Sequence, residues 1–410
     1  MSEAPILKQP PARPSFPLIL VFSLANVFFL ASVGWATWTY LVAPGGQGFD
    51  FYWIWTGGRA LFAGQSPYGA EVTRLIQAGA LGAVQPLAGY QFEFSYPASI
   101  AIPFLFLLAL PFPAAILAWN TLQLPLLAGA LAAGLDLLGQ RVRPLAWGGL
   151  FLLCFFGFRY PAIVYTLGQV TLFVLFCGVL SAWLYRRGRI RWAAVALTLT
   201  TIRPDIALVL FLLALVLTWR SPRLKDFWIT LVTATAIMVL APMLWIGFWP
   251  ADWLLVLQNY ANLNPYIRWP LAGLGSNELG WATAALLTGW AGSYSWHALR
   301  QANPLNQRLA VSALVILAQL VLKQTGLYNL SYLLVPALIL WSCARSPWLR
   351  GLILASLITP WLLYNFAPVN EVALLVIPLE FFVIQSLVSL ELRAGSNPAI
   401  RTILKPSSSS

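Results

Sequence analysis

"PLILVFSLANVFFLASVGWATWTYLV", residues 17–42, decides the fold class. It carries no charged residue and exceeds the roughly 20 residues that an α-helix needs to cross a bilayer. Lys8 and Arg13 precede it, and it is too long for the core of a signal peptide. It therefore reads as an uncleaved first helix with its N-terminus inside. Similar apolar runs recur at approximately 97–112, 114–139, 145–157, 163–185, 191–219, 227–248, 271–290, 308–322, 328–344, 348–366 and 370–390. Charged residues make up 9% of the 410-residue chain, against about 25% in soluble domains. The expected fold is an all-α polytopic membrane protein: one membrane domain over 17–390, flanked by cytoplasmic tails at 1–16 and 391–410.

The net charge of +12 does not point to nucleic acid. The basic residues cluster between apolar runs, as "RVR" (141–143), "RRGRIR" (186–191) and "RSPRLK" (220–225), which is the pattern of cytoplasmic loops. Arg393, Arg401 and Lys405 put the C-terminus inside as well, so the span count is even, about 10 to 12. Simple counting then leaves Arg141 and Arg143 outside, against the rule. One segment between 97 and 157 is miscounted or re-enters the membrane. Cys154, Cys177 and Cys343 lie in apolar runs without metal or redox spacing and read as small core residues.

Residues 43–96 form the longest polar-containing interval, with Asp50, Arg59, Glu71, Arg74 and Glu93, and are expected outside. Asp50 stands in "GFDFYWIWTGGRALFAGQSPYG" (48–69), where it is either a helix cap or a functional carboxylate. Within the apolar runs an ionisable group costs roughly 2.5 to 3.5 kcal/mol at the bilayer centre, so Asp136, Arg159, Arg203 with Asp205, Lys323, Glu371 and Glu380 each need a reason. "LTTIRPDIAL" (199–208) lies in a run flanked by basic clusters on both sides. A hairpin of two short legs, broken at Pro204, keeps both clusters inside and sets Thr201–Asp205 at the external turn. Arg203 there is an anion-binding group or a partner of Asp205. Gly168 and Gln169 interrupt a further run, and Lys323, Gln324, Tyr328, Asn329 and Tyr332 gather near the start of another.

The order D-F-Y-x5-G-R-A-L (50–61), G-x-S-P-Y (64–68), F-x-Y-P-A (94–98), G-Q-V (168–170) and T-x-R-P (201–204) resembles glycosyltransferase family 87 of the GT-C superfamily, polyprenol-phosphate-dependent α-mannosyltransferases, over roughly residues 15–345. The resemblance implies a GT-C-type bundle with a large external first loop (43–96) carrying a catalytic aspartate, which falls on Asp50. It also implies an aromatic-Tyr-Pro-Pro element and a Lys-Pro element. Here these read Phe94, Tyr96, Pro97, Ala98 and Arg203, Pro204, so Ala98 replaces a proline and Arg203 a lysine. Arginine's planar fork binds phosphate differently from an ammonium. Some members place a histidine in the later loops; His297 is given no role, and Asn329 occupies that neighbourhood.

The implied partners are a polyprenyl-phosphate-sugar donor, a lipid or glycan acceptor and membrane lipids, with no cofactor and no nucleic acid. Asp50 is the expected general base, and Arg203, Arg59 and Lys323 the expected donor-phosphate ligands. Tyr52, Tyr68, Glu93, Tyr96, Gln169, Tyr328 and Asn329 are expected around sugar and acceptor, with Glu93 a rival base. Asp50 has no neighbouring carboxylate and there is no Asp-x-Asp pair, which argues against a metal-dependent nucleotide-sugar site. A secondary transporter of a polar or lipid-linked solute is the alternative and a non-catalytic membrane assembly factor a third reading, but the long first loop is something a transporter does not require.

Overall fold

A computed structural model describes residues 49–84, 91–218, 221–263, 269–271, 277–300, 303–322, 326–366 and 370–396. The expected first span, Lys323 and most of the C-terminal tail lie outside the described residues. Among the described residues every regular element is helical, as expected of chains that must satisfy their backbone groups within a membrane. The protein is an all-α polytopic membrane protein.

The first loop folds into helix α1 (Phe49–Phe62) and helix α2 (Ala70–Leu81), followed by a 3-10 turn at Ala98–Ile100 that leads into α3 (Ala101–Leu108). At 1.5 Å per residue, Ala98–Leu108 spans only about 16 Å, half of a hydrocarbon core of about 30 Å. The helix in the run at 97–112 is therefore shorter than a full crossing, as is each leg, Pro144–Gly157 and Tyr160–Leu167, of the bent pair that follows. Helix α4 (Phe112–Leu137) is long enough. Its far end carries Asp136, which pairs with Arg187 at 2.9 Å. The "RVR" and "RRGRIR" clusters thus share one end of the bundle.

The chain then returns through α5 (Pro144–Leu152), a π-helical turn (Leu153–Gly157) and α6 (Tyr160–Leu167), the two legs meeting at a 70° bend. Helix α7 (Thr171–Arg186) runs back to the basic end, and α8 (Ile190–Thr198) with its 3-10 extension (Leu199–Ile202) leads to Arg203. There the backbone leaves helical geometry (φ −124°, ψ 82°) before Pro204 opens α9 (Pro204–Thr218). A residue before proline is pushed out of the helical region, so the break follows from the sequence. Later helices include α10 (Leu224–Leu240), α11 (Met243–Ile246), α12 (Trp249–Leu263), α13 (Asn277–Arg300) and α14 (Pro304–Val321). A 3-10 segment (Leu327–Leu333) opens α15 (Leu334–Cys343), and α16 (Pro347–Phe366) and α17 (Asn370–Ser396) complete the described elements.

Among the described residues four stretches, Phe112–Leu137, Leu224–Ile246, Pro304–Val321 and Ala373–Arg393, meet the length and hydropathy of a full crossing, and the bent pair, taken as one span, makes a fifth. The expected ten to twelve also counted the run at 17–42, which lies outside the described residues, and runs that here form helices of 10–17 residues. A single buried cluster links Phe51 of α1 to Val388 of α17. At its site end Phe51 stacks on Trp119 of α4 (centroids 5.8 Å apart, 14° between planes), and Phe104 of α3 meets the same indole edge-on at 4.8 Å. This aromatic triad ties α1 to the bundle just beneath Asp50.

Candidate active site

Asp50 sits in the first turn of α1, where a carboxylate also complements the helix dipole. Its Oδ2 accepts a short hydrogen bond from Gln169 Nε2, and Gln169 Oε1 accepts the hydroxyl of Tyr96 at 3.2 Å. Gln169 is 2% exposed, so a rigid carboxamide aims the carboxylate. Burial raises the Asp50 pKa to about 6, while the Gln169 hydrogen bond and the positive charge of Arg203 pull it back down. Burial, then the negative charge of Asp50, pushes the Tyr96 phenol well above its ordinary value. It stays protonated and donates.

Gln169 is held in place by its neighbour. Gly168 caps α6 with φ +67°, and a Cβ there would lie 2.8 Å from Phe51 Cβ and 3.0 Å from Ile116 Cδ1. Its carbonyl accepts Trp119 Nε1–H at 2.8 Å. Only glycine combines that backbone conformation with that approach. The F-x-Y-P-A segment is fixed as firmly. Tyr68 donates its hydroxyl to Tyr96 O at 3.0 Å, Trp253 Nε1 donates to Ser95 O at 3.0 Å, and Phe94 lies directly over Gly57, where a Cβ would meet its ring at 2.5 Å.

Arg203 is 6% exposed. Its Nε and Nη2 donate to the two oxygens of Asp205 at 3.2 and 2.8 Å, and Nη2 also donates to Asn329 Oδ1 at 2.9 Å. The guanidinium lies 5.8 Å from the Tyr328 ring centroid. Of the two sequence readings of Arg203, the structure shows the partnership with Asp205, and the same charge acts on Asp50. Among the described residues Nη1 carries no hydrogen bond, so one edge of the fork remains available.

The structure brings Asp50, Tyr96, Gln169, Arg203, Tyr328 and Asn329 to one place. It does not bring Arg59, which is exposed and packed over Trp55 at 4.8 Å. Nine residues at 100° each place Asp50 and Arg59 on opposite faces of α1. Tyr52 points away too, its ring against Phe112 (4.9 Å) and its hydroxyl over Gly79. Tyr68 serves as a clamp on the Tyr96 backbone rather than a free ring. Glu93 is half-buried and follows Phe92, whose φ of 55° is left-handed. That conformation costs a bulky residue about 1–2 kcal/mol, and Gln77, donating to Gln91 O at 2.5 Å, pins the adjacent backbone. His297 is exposed on α13.

Two features escape a reading of the sequence. Tyr260 of α12 stands within electrostatic reach of Asp50 and Arg203; its only signal is a polar "QNY" near the end of an apolar helix. Asn120 and Gln123 of α4 are fully buried and bond each other at 3.0 Å.

A family model for glycosyltransferase family 87 matches residues 94–323, more than half of the chain. The chain belongs to glycosyltransferase family 87. It is accordingly a glycosyltransferase, with a sugar donor and an acceptor. No curated protein and no solved structure matches it. The span matched by the family 87 model holds Tyr96, Gln169 and Arg203, whereas Asp50 precedes it and Tyr328 and Asn329 follow it.

Proposed function

We propose that this glycosyltransferase moves a sugar, mannose, from a polyprenyl-phosphate donor to a hydroxyl of a lipid or glycan acceptor at the external face of the cell membrane, inverting the anomeric carbon. The observation that carries the reading is the Asp50–Gln169 pair beside Arg203. A lipid phosphate leaves as a stable anion and needs little protonation, so the chemistry reduces to removing the acceptor's proton and neutralising charge on the phosphate. Asp50 does the first. With Oδ2 occupied by Gln169, Oδ1 is the oxygen that takes the proton, and a pKa of about 6 keeps it ionised yet basic near neutral pH. Arg203 does the second, holding phosphate oxygens with its open edge in a poorly hydrated site where fixed charge acts strongly. Tyr328 and Tyr260 flank the sugar, and Asn329 and Asp205 orient Arg203. Lys323 joins as a further phosphate ligand from the adjoining segment.

Membership of a glycosyltransferase family favours this reading over a transporter. The experiment is transfer of labelled mannose from polyprenyl-phosphate-mannose to membrane lipid by purified protein, without added metal. Transfer by wild type that is lost in a folded Asp50→Asn variant supports the reading. Equal transfer by both removes Asp50 from the mechanism and moves Glu93 to its place. No transfer with mannose, glucose or arabinose donors overturns the donor assignment.

A further inference from the structure

A cavity of about 640 Å³ lies between α4, α7, α9, α14 and α15, and Asp50 does not line it. Its walls are mostly apolar, including Leu131, Leu210, Val315 and Leu338, and small residues such as Ala130, Ala182 and Ala214 line it between them. Its volume falls in the range of about 300–1,000 Å³ typical of ligand sites. Its polar lining groups, on Ser181, Tyr185, Thr218, Gln307, Gln319 and Tyr332, are few beside the apolar ones. In a bilayer, the fluid at hand to fill it is hydrocarbon.

The charged residues in its lining are Arg186 and Arg308, both at the basic end. Both reach the C-terminus of α4: Arg186 donates to Asp136 O at 3.3 Å, and Arg308 to Leu137 O at 3.5 Å. Arg187 stands beside them, and Asp136 is the acidic residue paired there. Three cations against one carboxylate leave a positive mouth on an apolar groove. Basic pockets between membrane helices are suited to anionic headgroups.

We infer that this groove is a binding site for an anionic phospholipid, with one acyl chain between α7, α9 and α14 and the phosphate at Arg186 and Arg308. The site is separate from the donor site: its headgroup lies at the end of the bundle opposite Asp50. The inner end of the groove is lined by Ile206 and Tyr332, next to Asp205 and within reach of the Arg203 charge. The bound chain therefore braces the break that positions Arg203.

The test is native mass spectrometry of the purified full-length protein after delipidation and incubation with phosphatidylglycerol or phosphatidylcholine of identical chains. The site predicts at least a tenfold preference for phosphatidylglycerol. It also predicts loss of that preference in the Arg186→Gln/Arg308→Gln double variant, and weakened retention in Ala214→Trp, which fills the groove and keeps both charges. Equal retention of the two lipids by wild type overturns the site and needs no variant. Unchanged phosphatidylglycerol retention by Ala214→Trp reduces it to surface attraction and overturns it too, as does equal retention of a neutral prenyl alcohol. No arm depends on sugar transfer, so its failure and that of the transferase reading are distinguishable.

Discussion

Asp50 lies half-buried at one end of the bundle with a carboxamide as its hydrogen-bond donor, whereas Asp136, at the other end, is 49% exposed and receives Trp183 Nε1 at 2.8 Å and Arg187 Nη2 at 2.9 Å. The same contrast separates the arginines. Arg203 has 7% of its side chain exposed and is locked by Asp205 and Asn329, while Arg187 has 55% exposed. Like residue types at the two ends thus face opposite physics. In water a pair such as Asp136–Arg187 contributes about 0–1 kcal/mol. Inside the bundle, charges are costly to hold and correspondingly strong in their effect on a reacting group.

The sharpest way to break this comparison is to neutralise each aspartate. Asp50→Asn should lower sugar transfer by about 10²–10⁴-fold, the usual contribution of a positioned base. Asp136→Asn should leave transfer within about twofold, in the same labelled-donor assay. Equal losses would mean that the two ends are not functionally distinct.

Removing the arginines probes stability. Arg203→Ala strands Asp205, which keeps 33% of its side chain exposed, so the cost should fall below the 3–5 kcal/mol of a fully buried pair, at about 1–3 kcal/mol. Arg187→Ala should cost about 0–1 kcal/mol. Thermal unfolding in detergent reads both. Gly168→Ala should cost about 1–2 kcal/mol from its left-handed backbone alone, with additional overlap against Phe51. It should depress transfer as well, by displacing Gln169.

The pH dependence gives a modest effect on stability and the most specific one on rate. With a folded pKa of about 6, kcat/KM should fall tenfold per unit below pH ~6. Gln169→Leu should move that limb upward, since the lost hydrogen bond favours the charged form. For stability the sign is reversed from that of a salt-bridged carboxylate. The folded value exceeds the ordinary 3.8, so the folded state binds more protons between those pH values. Charging Asp50 therefore destabilises the fold as pH rises through 6. Asp50→Asn should melt about 1–3 °C higher than wild type above pH 6, with the gap closing toward pH 4.

Membrane class, the first-loop aspartate and the break before Pro204 were legible because each rests on local chemistry: unbroken apolar length, a carboxylate among rings, and proline's effect on its neighbour. The run at 97–112 was legible as apolar, but the shortness of its helix was not. Its helix ends at Leu108 and the next opens at Phe112, across Pro111, and hydropathy averages over such a break. Arg59 attracted a role by its nearness in sequence, and the helical repeat turned it to the far face.

Sequence by itself determined that this chain lives in a membrane and that Asp50 and Arg203 demand an explanation. Tertiary structure alone decided the company they keep. Gln169 meets Asp50 across 119 positions and Asn329 meets Arg203 across 126. Such contacts leave no periodicity in the chain, because they arise from how separate helices pack and not from any rule acting between neighbours.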